Sequence, residues 1–294
     1  MTEPLFDTVC LVGIGHIGSS LARALRKHGL ARRLVALEAS PAAAAKAVEL
    51  GVVDRAECDP ALVVPGAGLV VVAVPIGAVA EVGAAIAPHL TPGAIVSDVG
   101  SVKLAVIRDL APFIPAGVAF IPGHPIAGTE HSGPESGLAD LFEGRWQILT
   151  PMPGTDPAAL ARLSDLWTRI GSMVEIMEPA HHDKVLAITS HLPHLIAYTI
   201  VGTASDLESD LAHEVIKFSA SGFRDFTRIA ASNPVMWRDI FLNNRESVLE
   251  VLQRFTEDLT ALQRAIRRGE GETLEKRFSE TRKIRRAIID AKQA

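Results

Sequence analysis

The residues best suited to chemistry lie in one polar stretch, Gly123-His124-Pro125-Ile126-Ala127-Gly128-Thr129-Glu130. Proline disfavours the helical conformation for the residue before it, and glycine admits unusual angles on the other side. The His124 imidazole is therefore aimed by a sharply turning segment. A neutral imidazole accepts a proton near pH 7, which suits His124 to general-base work, although most of the chain's 10 histidines are expected to be spectators. Farther on, Lys184, Ala187, His191, His194 and Tyr198 recur every three or four positions, the spacing of one helix face. A polar stripe on an apolar helix lines a wet cavity or pairs with buried groups; the plainer reading of His191 and His194 is as core histidines satisfied by neighbours. Arg224 and Arg228 fit one face of a helix, with Asp225 beside them. Arginine's planar fork suits a carboxylate and an aspartate can steady it, while the commoner use of such a group is a surface salt bridge.

These side chains need elements to hold them, and the first half supplies strands and helices in alternation. Thr8 to Val12 is a short apolar strand that runs into Gly13-Ile14-Gly15-His16-Ile17-Gly18, followed by the helical pattern Ser19 to His28. Gly13 suits the tight turn, Gly15 lets the backbone approach a pyrophosphate, and Gly18 allows close packing of helix on strand, so the helix N-terminus faces phosphates. Leu34 to Leu37 reads as the second strand, and Glu38 ends it. A carboxylate there hydrogen-bonds ribose hydroxyls and repels a 2′-phosphate, which predicts NAD and disfavours NADP.

Ala42 to Leu50 reads as a helix, and Gly68 to Val74 as a continuous apolar strand buried on both faces of a parallel sheet. It stops at Pro75, and Val74 and Pro75 thus stand at the carboxyl edge, where a nicotinamide ring would lie. After the helix Val79 to Leu90, the strand Ala94 to Asp98 leads to Ser101, which sits at the same ligand edge and also suits a cap for the helix Val102 to Leu110. Val118 to Ile121, Gln147 to Thr150 and Met173 to Met177 read as further strands, and Pro157 to Ile170 as a helix.

The alternation ends near Glu178-Pro179, and only helical periodicity follows. The expected fold is α/β, a Rossmann-type doubly wound, mainly parallel sheet over residues 1–178, followed by an all-helical domain over 179–294. Ala180 to Ser205 reads as one helix that Pro193 kinks by removing the bond to the Thr189 carbonyl. The tail carries Val248, Val251, Leu252, Leu259 and Leu262 at helical spacing, reads as packing and dimer surface, and breaks at Gly269 and Gly271.

Composition narrows the class. A chain of 294 residues with 48% hydrophobic content buries a large core and should hold two domains. A net charge of -5 argues against a nucleic-acid partner, and the basic run Arg282 to Arg286 reads as a solvated face. Two cysteines, Cys10 and Cys58, imply neither a disulfide framework nor a metal site, so a reducing cytoplasm is expected. The N-terminal MTEPLFDTVCLVGIG lacks a basic leader and a long apolar segment, so no export signal is expected, and no apolar run is read as long enough for a membrane.

Taken together, the motifs resemble one family, the prephenate and arogenate dehydrogenases of tyrosine biosynthesis. The likeness runs from about Val9 to Asn243 through Asp98-Val99-Gly100-Ser101-Val102-Lys103, Gly123 to Gly133, Ser190-His191-Leu192-Pro193-His194, Asp225-Phe226-Thr227-Arg228 and Met236-Trp237-Arg238-Asp239. It implies a nucleotide-binding domain, a helical domain through which two subunits pair, and oxidative decarboxylation of prephenate, or alternatively arogenate, with hydride passing to NAD. The resemblance implies His124 as the catalytic histidine, Ser101 as its partner and Arg228 as the anchor of a substrate carboxylate. By the same carry-over Glu130, His182, His191, His194, Asp225 and Trp237 lie around the substrate. No mutase domain is expected before this chain and no regulatory domain after it. Two rivals are a 3-hydroxyacid dehydrogenase using Lys184 as base and an NAD-binding redox sensor without chemistry.

Overall fold

Short runs of Val, Leu and Ile, too apolar for a surface and too short for most helices, build the first sheet. A computed structural model describes residues 3–129, 131, 133–206, 214, 217 and 221–290. Six strands, β1 (Phe6–Val12), β2 (Ala31–Leu37), β3 (Arg55–Glu57), β4 (Leu69–Val72), β5 (Ile95–Asp98) and β6 (Ala119–Ile121), lie in the order β3-β2-β1-β4-β5-β6. All their pairings are parallel. The order reverses between β1 and β4, which opens a crevice at the carboxyl ends of the strands.

Alternate residues of these strands feed two cores, one on each face of the sheet. Leu11, Leu69, Val71 and Ile95 pack with Leu21 and Leu25 of helix α1 (His16–Lys27) and with Leu163 and Trp167 of a later helix; Val70, Val72 and Val96 pack with Val79, Val106 and Leu110 on the other side. Cys10 is fully buried in β1, and burial pushes its thiol up to about 12. Helices α2 (Pro41–Glu49), α3 (Val79–Ile86), α4 (Lys103–Leu110) and α5 (Pro157–Ile170) complete the alternation. The strand expected to reach Val74 ends at Val72. Ala73 leaves the sheet to skirt the glycine turn, its carbonyl 2.7 Å from where a Gly13 Cβ would stand.

The histidine segment is a strand where a turn was expected. Gly123–Pro125 forms β7, antiparallel to β8 (Trp146–Leu149), which runs parallel to β9 (Met173–Ile176) in a separate three-stranded sheet. Gly123 serves here by its size and not by unusual angles. A Cβ would stand 2.7 Å from Gln147 Nε2 and 3.1 Å from the Asp98 carbonyl, so only glycine lets β7 pass this close to the end of β5.

The expected single helix from Ala180 to Ser205 has three parts. Helix α6 (Pro179–Leu186) is capped by the Glu178 carboxylate on the His181 N–H; a π-helical turn spans Ala187–His191; helix α7 (Leu192–Ser205) follows. The widened turn puts Pro193 in the first turn of α7, where no N–H is required of it. It also breaks the expected shared face: Lys184 is exposed and His191 is fully buried. Contrary to the sequence reading, the span Pro179–Ser205 is long and apolar enough by length and composition to cross a membrane, with a mean hydropathy of 1.4 in its most apolar window. The span also carries Asp183 and Lys184 near its start, along with histidines, a proline and threonines. Beyond it come α8 (Ser221–Thr227), a 3-10 turn Arg228–Ala231 and α9 (Pro234–Asn243).

Residues 1–245 form one compact unit and 246–294 a second. The second unit consists of the long helices α10 (Arg245–Arg268) and α11 (Gly271–Asp290), separated at Gly269, whose φ is +68°. Arg277 and Asp258 pair across them at 3.5 Å.

Candidate active site

The glycine turn has the form a dinucleotide needs. Gly13 stands at φ +91°, and a Cβ on Gly18 would lie 2.1 Å from the Gly13 carbonyl oxygen, so both must be glycine. Nothing lies within 4 Å of a Gly15 Cβ, which leaves that backbone open to a ligand. Helix α1 starts from Gly15 with no side chain capping its free N–H groups, so they are available to phosphate. Glu38 follows β2, and its carboxylate accepts the Ile14 N–H, which holds it against the turn. Val74 packs beside Gly13 and Pro75 is exposed at the same edge. His16 and Ile17 open α1, and the His16 ring donates from Nδ1 to the Ser136 carbonyl at 3.0 Å, tying the turn to the loop that follows β7.

His124, in the middle of β7, is 9% exposed. Its Nδ1 lies 2.9 Å from His182 Nε2, and His182 Nδ1 lies 2.8 Å from Asp183 Oδ1. Both nitrogens of His182 are thus used inside the chain, so it stands behind His124 and not against a substrate. The Asp183 carboxylate also accepts the N–H groups of Lys103 at 2.7 Å and Leu104 at 3.0 Å. Asp183 therefore supplies the cap of α4 that the sequence assigned to Ser101; the N-cap position is Val102, without a side-chain bond. Ser101 itself is partly exposed at the carboxyl edge, just past β5.

Below this line lies a buried ion pair. Lys103 Nζ, fully buried, donates to Asp98 Oδ2 and to the Gly123 carbonyl, while Asp98 Oδ1 accepts the Gly123 N–H at 3.0 Å. One lysine and one aspartate thus clamp the strand that carries His124. Burial, then His182, Lys103 and His191, hold His124 well below the ordinary histidine range, so its ring is neutral. His124 Nε2 is not sealed from solvent and has no partner among the described residues.

The helical residues form an adjoining wall. His194 stacks on Trp237 with centroids 3.6 Å apart, and His191 meets the same indole edge-on at 6.0 Å. Asn244 Nδ2 donates to the Asp183 carbonyl at 2.8 Å and to His191 Nδ1 at 3.1 Å. His191 Nε2 and Trp237 Nε1 are buried without a partner among the described residues. Burial, and after it the charge of Arg228, hold His194 below the usual range, although the Ser190 carbonyl favours its proton. Arg228, exposed at the start of the 3-10 turn, is therefore beside this wall. Asp225 departs from expectation, since it pairs with Arg224 at 3.5 Å on the exposed side of α8 and does not steady Arg228 by an ion pair. Glu130 lies outside the described residues.

Asp98, Lys103, Asp183 and Asn244 were given no role from sequence, Asp98 and Lys103 entering only as members of a motif. A signal existed for two of them: β5 is buried at all four positions yet ends in a carboxylate, which demands a buried donor, and Lys103 follows one turn later. Lys184, the base a 3-hydroxyacid dehydrogenase would use, is exposed and outside the cluster.

A glycine turn built for a dinucleotide, a neutral imidazole and an adjoining wall of aromatic rings with an arginine beside it suit hydride removal assisted by a base at an anionic substrate. Comparison with known proteins agrees. Residues 21–176 match the model for the prephenate dehydrogenase nucleotide-binding domain, and residues 178–280 the model for its dimerization domain. The cyclohexadienyl dehydrogenase of Zymomonas mobilis is 40% identical over 97% of this chain and 97% of that protein. The crystal structure of prephenate dehydrogenase from Aquifex aeolicus in complex with hydroxyphenyl propionate and NAD+ has 36% identity and a TM-score of 0.89, covering 96% of this chain and 98% of that one. Synechocystis arogenate dehydrogenase has 31% identity and a TM-score of 0.80, with 95% and 98% covered. With both halves matched in order and such identity over nearly its whole length, the chain belongs to the prephenate and arogenate dehydrogenase family and is an oxidoreductase with a nicotinamide cofactor.

Proposed function

We propose that this protein oxidatively decarboxylates prephenate to 4-hydroxyphenylpyruvate, with hydride transfer to NAD. The observation that carries the reading is a neutral, clamped His124 with one ring nitrogen reaching solvent. Prephenate is a cyclohexadienol with a hydroxyl at C4 and a carboxylate at C1, and loss of hydride and CO2 makes the ring aromatic. The nicotinamide, when bound, accepts the hydride. His124 takes the hydroxyl proton at Nε2 as positive charge develops on that oxygen and returns it to the phenolate oxygen once CO2 has left, Ser101 orients the ring, and Arg228 anchors a carboxylate. His194 and Trp237 stand along the ring, with His191, fully buried, packed behind them. Arogenate, which carries an amino acid side chain in place of the keto acid, is the second reading, favoured by the likeness to the Synechocystis arogenate dehydrogenase.

Glu38 supports NAD over NADP, because a carboxylate after β2, held against the glycine turn, would repel a 2′-phosphate. The division at residue 178, pairing of two subunits through the helical part, and a cytoplasmic setting belong to the same reading. Support for pairing is the apolar surface of Leu249, Leu259, Ile266, Phe278 and Ile284, all exposed on the last two helices.

The deciding assay follows reduced-nicotinamide absorbance with prephenate and arogenate, each against NAD and NADP. Turnover with prephenate and NAD is expected. Turnover with arogenate alone would replace the substrate, turnover with NADP alone would remove the role given to Glu38, and silence with all four would overturn the reading. Replacing Arg228 with Ala is expected to raise KM by about 10–100-fold with kcat within a few-fold, the size of a lost charge-assisted bond made equally in ground and transition states. A fall in kcat at constant KM would contradict the anchoring role.

A further inference from the structure

The line of buried groups behind His124 determines where each proton sits. Asp183 is 1% exposed, and the backbone N–H groups of Lys103 and Leu104, which can only donate, reach its Oδ1 and Oδ2 respectively. Both oxygens are therefore acceptors, and the contact of Oδ1 with His182 Nδ1 at 2.8 Å needs the proton on the nitrogen. Burial outweighs the pull of Asp183 and keeps His182 below the ordinary histidine range, so this ring carries a single proton and its Nε2 is a lone pair. Only a proton on His124 Nδ1 then makes a hydrogen bond of the 2.9 Å contact between the rings. The remaining nitrogen of His124, Nε2, is left as a lone pair, and it is the one that solvent reaches.

We infer that Asp183, acting through His182, sets the tautomer of His124 and thereby makes Nε2 the proton acceptor. The inference rests on the base role proposed for His124 and adds the residues that make that role available. Asp183 and His182 are positioning residues, 58 or more positions away in the chain and buried behind His124. Which nitrogen of a histidine is free is decided by the bond its other nitrogen makes. A histidine without this relay can hold its proton on Nε2 and then cannot act as the base. In serine-protease triads the wrong tautomer lowers turnover by about 10⁴-fold while geometry is kept.

The test reads the tautomer directly, without substrate, from the nitrogen chemical shifts and proton couplings of histidine-labelled protein, with His124 assigned by the missing signals of His124→Asn. The expected wild-type result is a proton on Nδ1. His182→Leu removes the acceptor and leaves the Asp183 cap in place; it should move the His124 proton wholly or partly to Nε2 and cut turnover by about 100-fold or more. His182→Gln presents an amide oxygen at the same place and should keep the proton on Nδ1 and restore turnover to within about tenfold of wild type. A wild-type proton on Nε2 would overturn the inference, even if His182→Leu could not be folded. So would a His182→Leu protein that keeps the Nδ1 proton. Normal turnover in His124→Asn together with the expected tautomer would instead remove the base role and leave the relay standing.

Discussion

Replacing His124 with Asn is expected to lower turnover by about 10²–10⁴-fold while NAD binding stays intact, the usual span for loss of a general base. Asparagine keeps a polar group in β7 and the hydrogen-bonding size of the site, but it has no basic nitrogen. The glycine turn and Glu38 belong to other elements, so the cofactor should be held as before. Stopped-flow or steady-state kinetics with separate NAD titration would check this, and unchanged turnover would remove His124 from the mechanism. The pH profile carries the sign of the same assignment. Burial, His182, Lys103 and His191 all press His124 below 6.5, with the carboxylates Asp98 and Asp183 close by in the same cluster, so the acid limb of activity should lie below the range of an exposed histidine. For stability, the unfolded chain takes up protons first as pH falls below about 6.5, whereas the folded histidines resist. Stability from the neutral cluster is thus fully present above that value and is lost as pH falls toward the folded values, about 4 for His191.

The second large effect is expected from Lys103→Met. Lys103 and Asp98 are both buried, and the methionine leaves an uncompensated carboxylate together with an orphaned Gly123 carbonyl. Removing one partner of a buried pair costs about 3–5 kcal/mol, against a total stability of roughly 5–15 kcal/mol for a domain. Denaturant unfolding should show that loss, and adding Asp98→Asn should recover part of it, because the charge then disappears with its partner. A cost below about 1 kcal/mol would mean that water or another cation reaches Asp98. Turnover per folded molecule should also fall, since the same lysine binds the carbonyl next to His124 and its charge helps to keep that ring neutral.

The sequence by itself determined the parts that depend on local pattern. The run Thr8 to Val12, the three glycines and the helix after them are legible because a tight turn, an open backbone and a close packing each require glycine at a set spacing. The alternating first half and the helical second half follow from apolar periods of two and of three to four. His124 was picked out by its place between glycine and proline, and the motifs that carry His194, Arg228 and Trp237 by their resemblance to one family. Partner choice was not legible. The ring that meets His124 comes from 58 residues later, and the carboxylate that caps α4 from 80 residues beyond Lys103. A periodic pattern tells which face of an element a side chain occupies, but not which other element packs on that face. For the same reason Ser101 was read as a cap that Asp183 provides, Asp225 as a brace for an arginine that it does not pair with, and Lys184 as sharing a face with His191 that a π-helical turn divides. Tertiary structure alone decided these, because a buried donor or acceptor takes the nearest partner in space, whatever its distance along the chain.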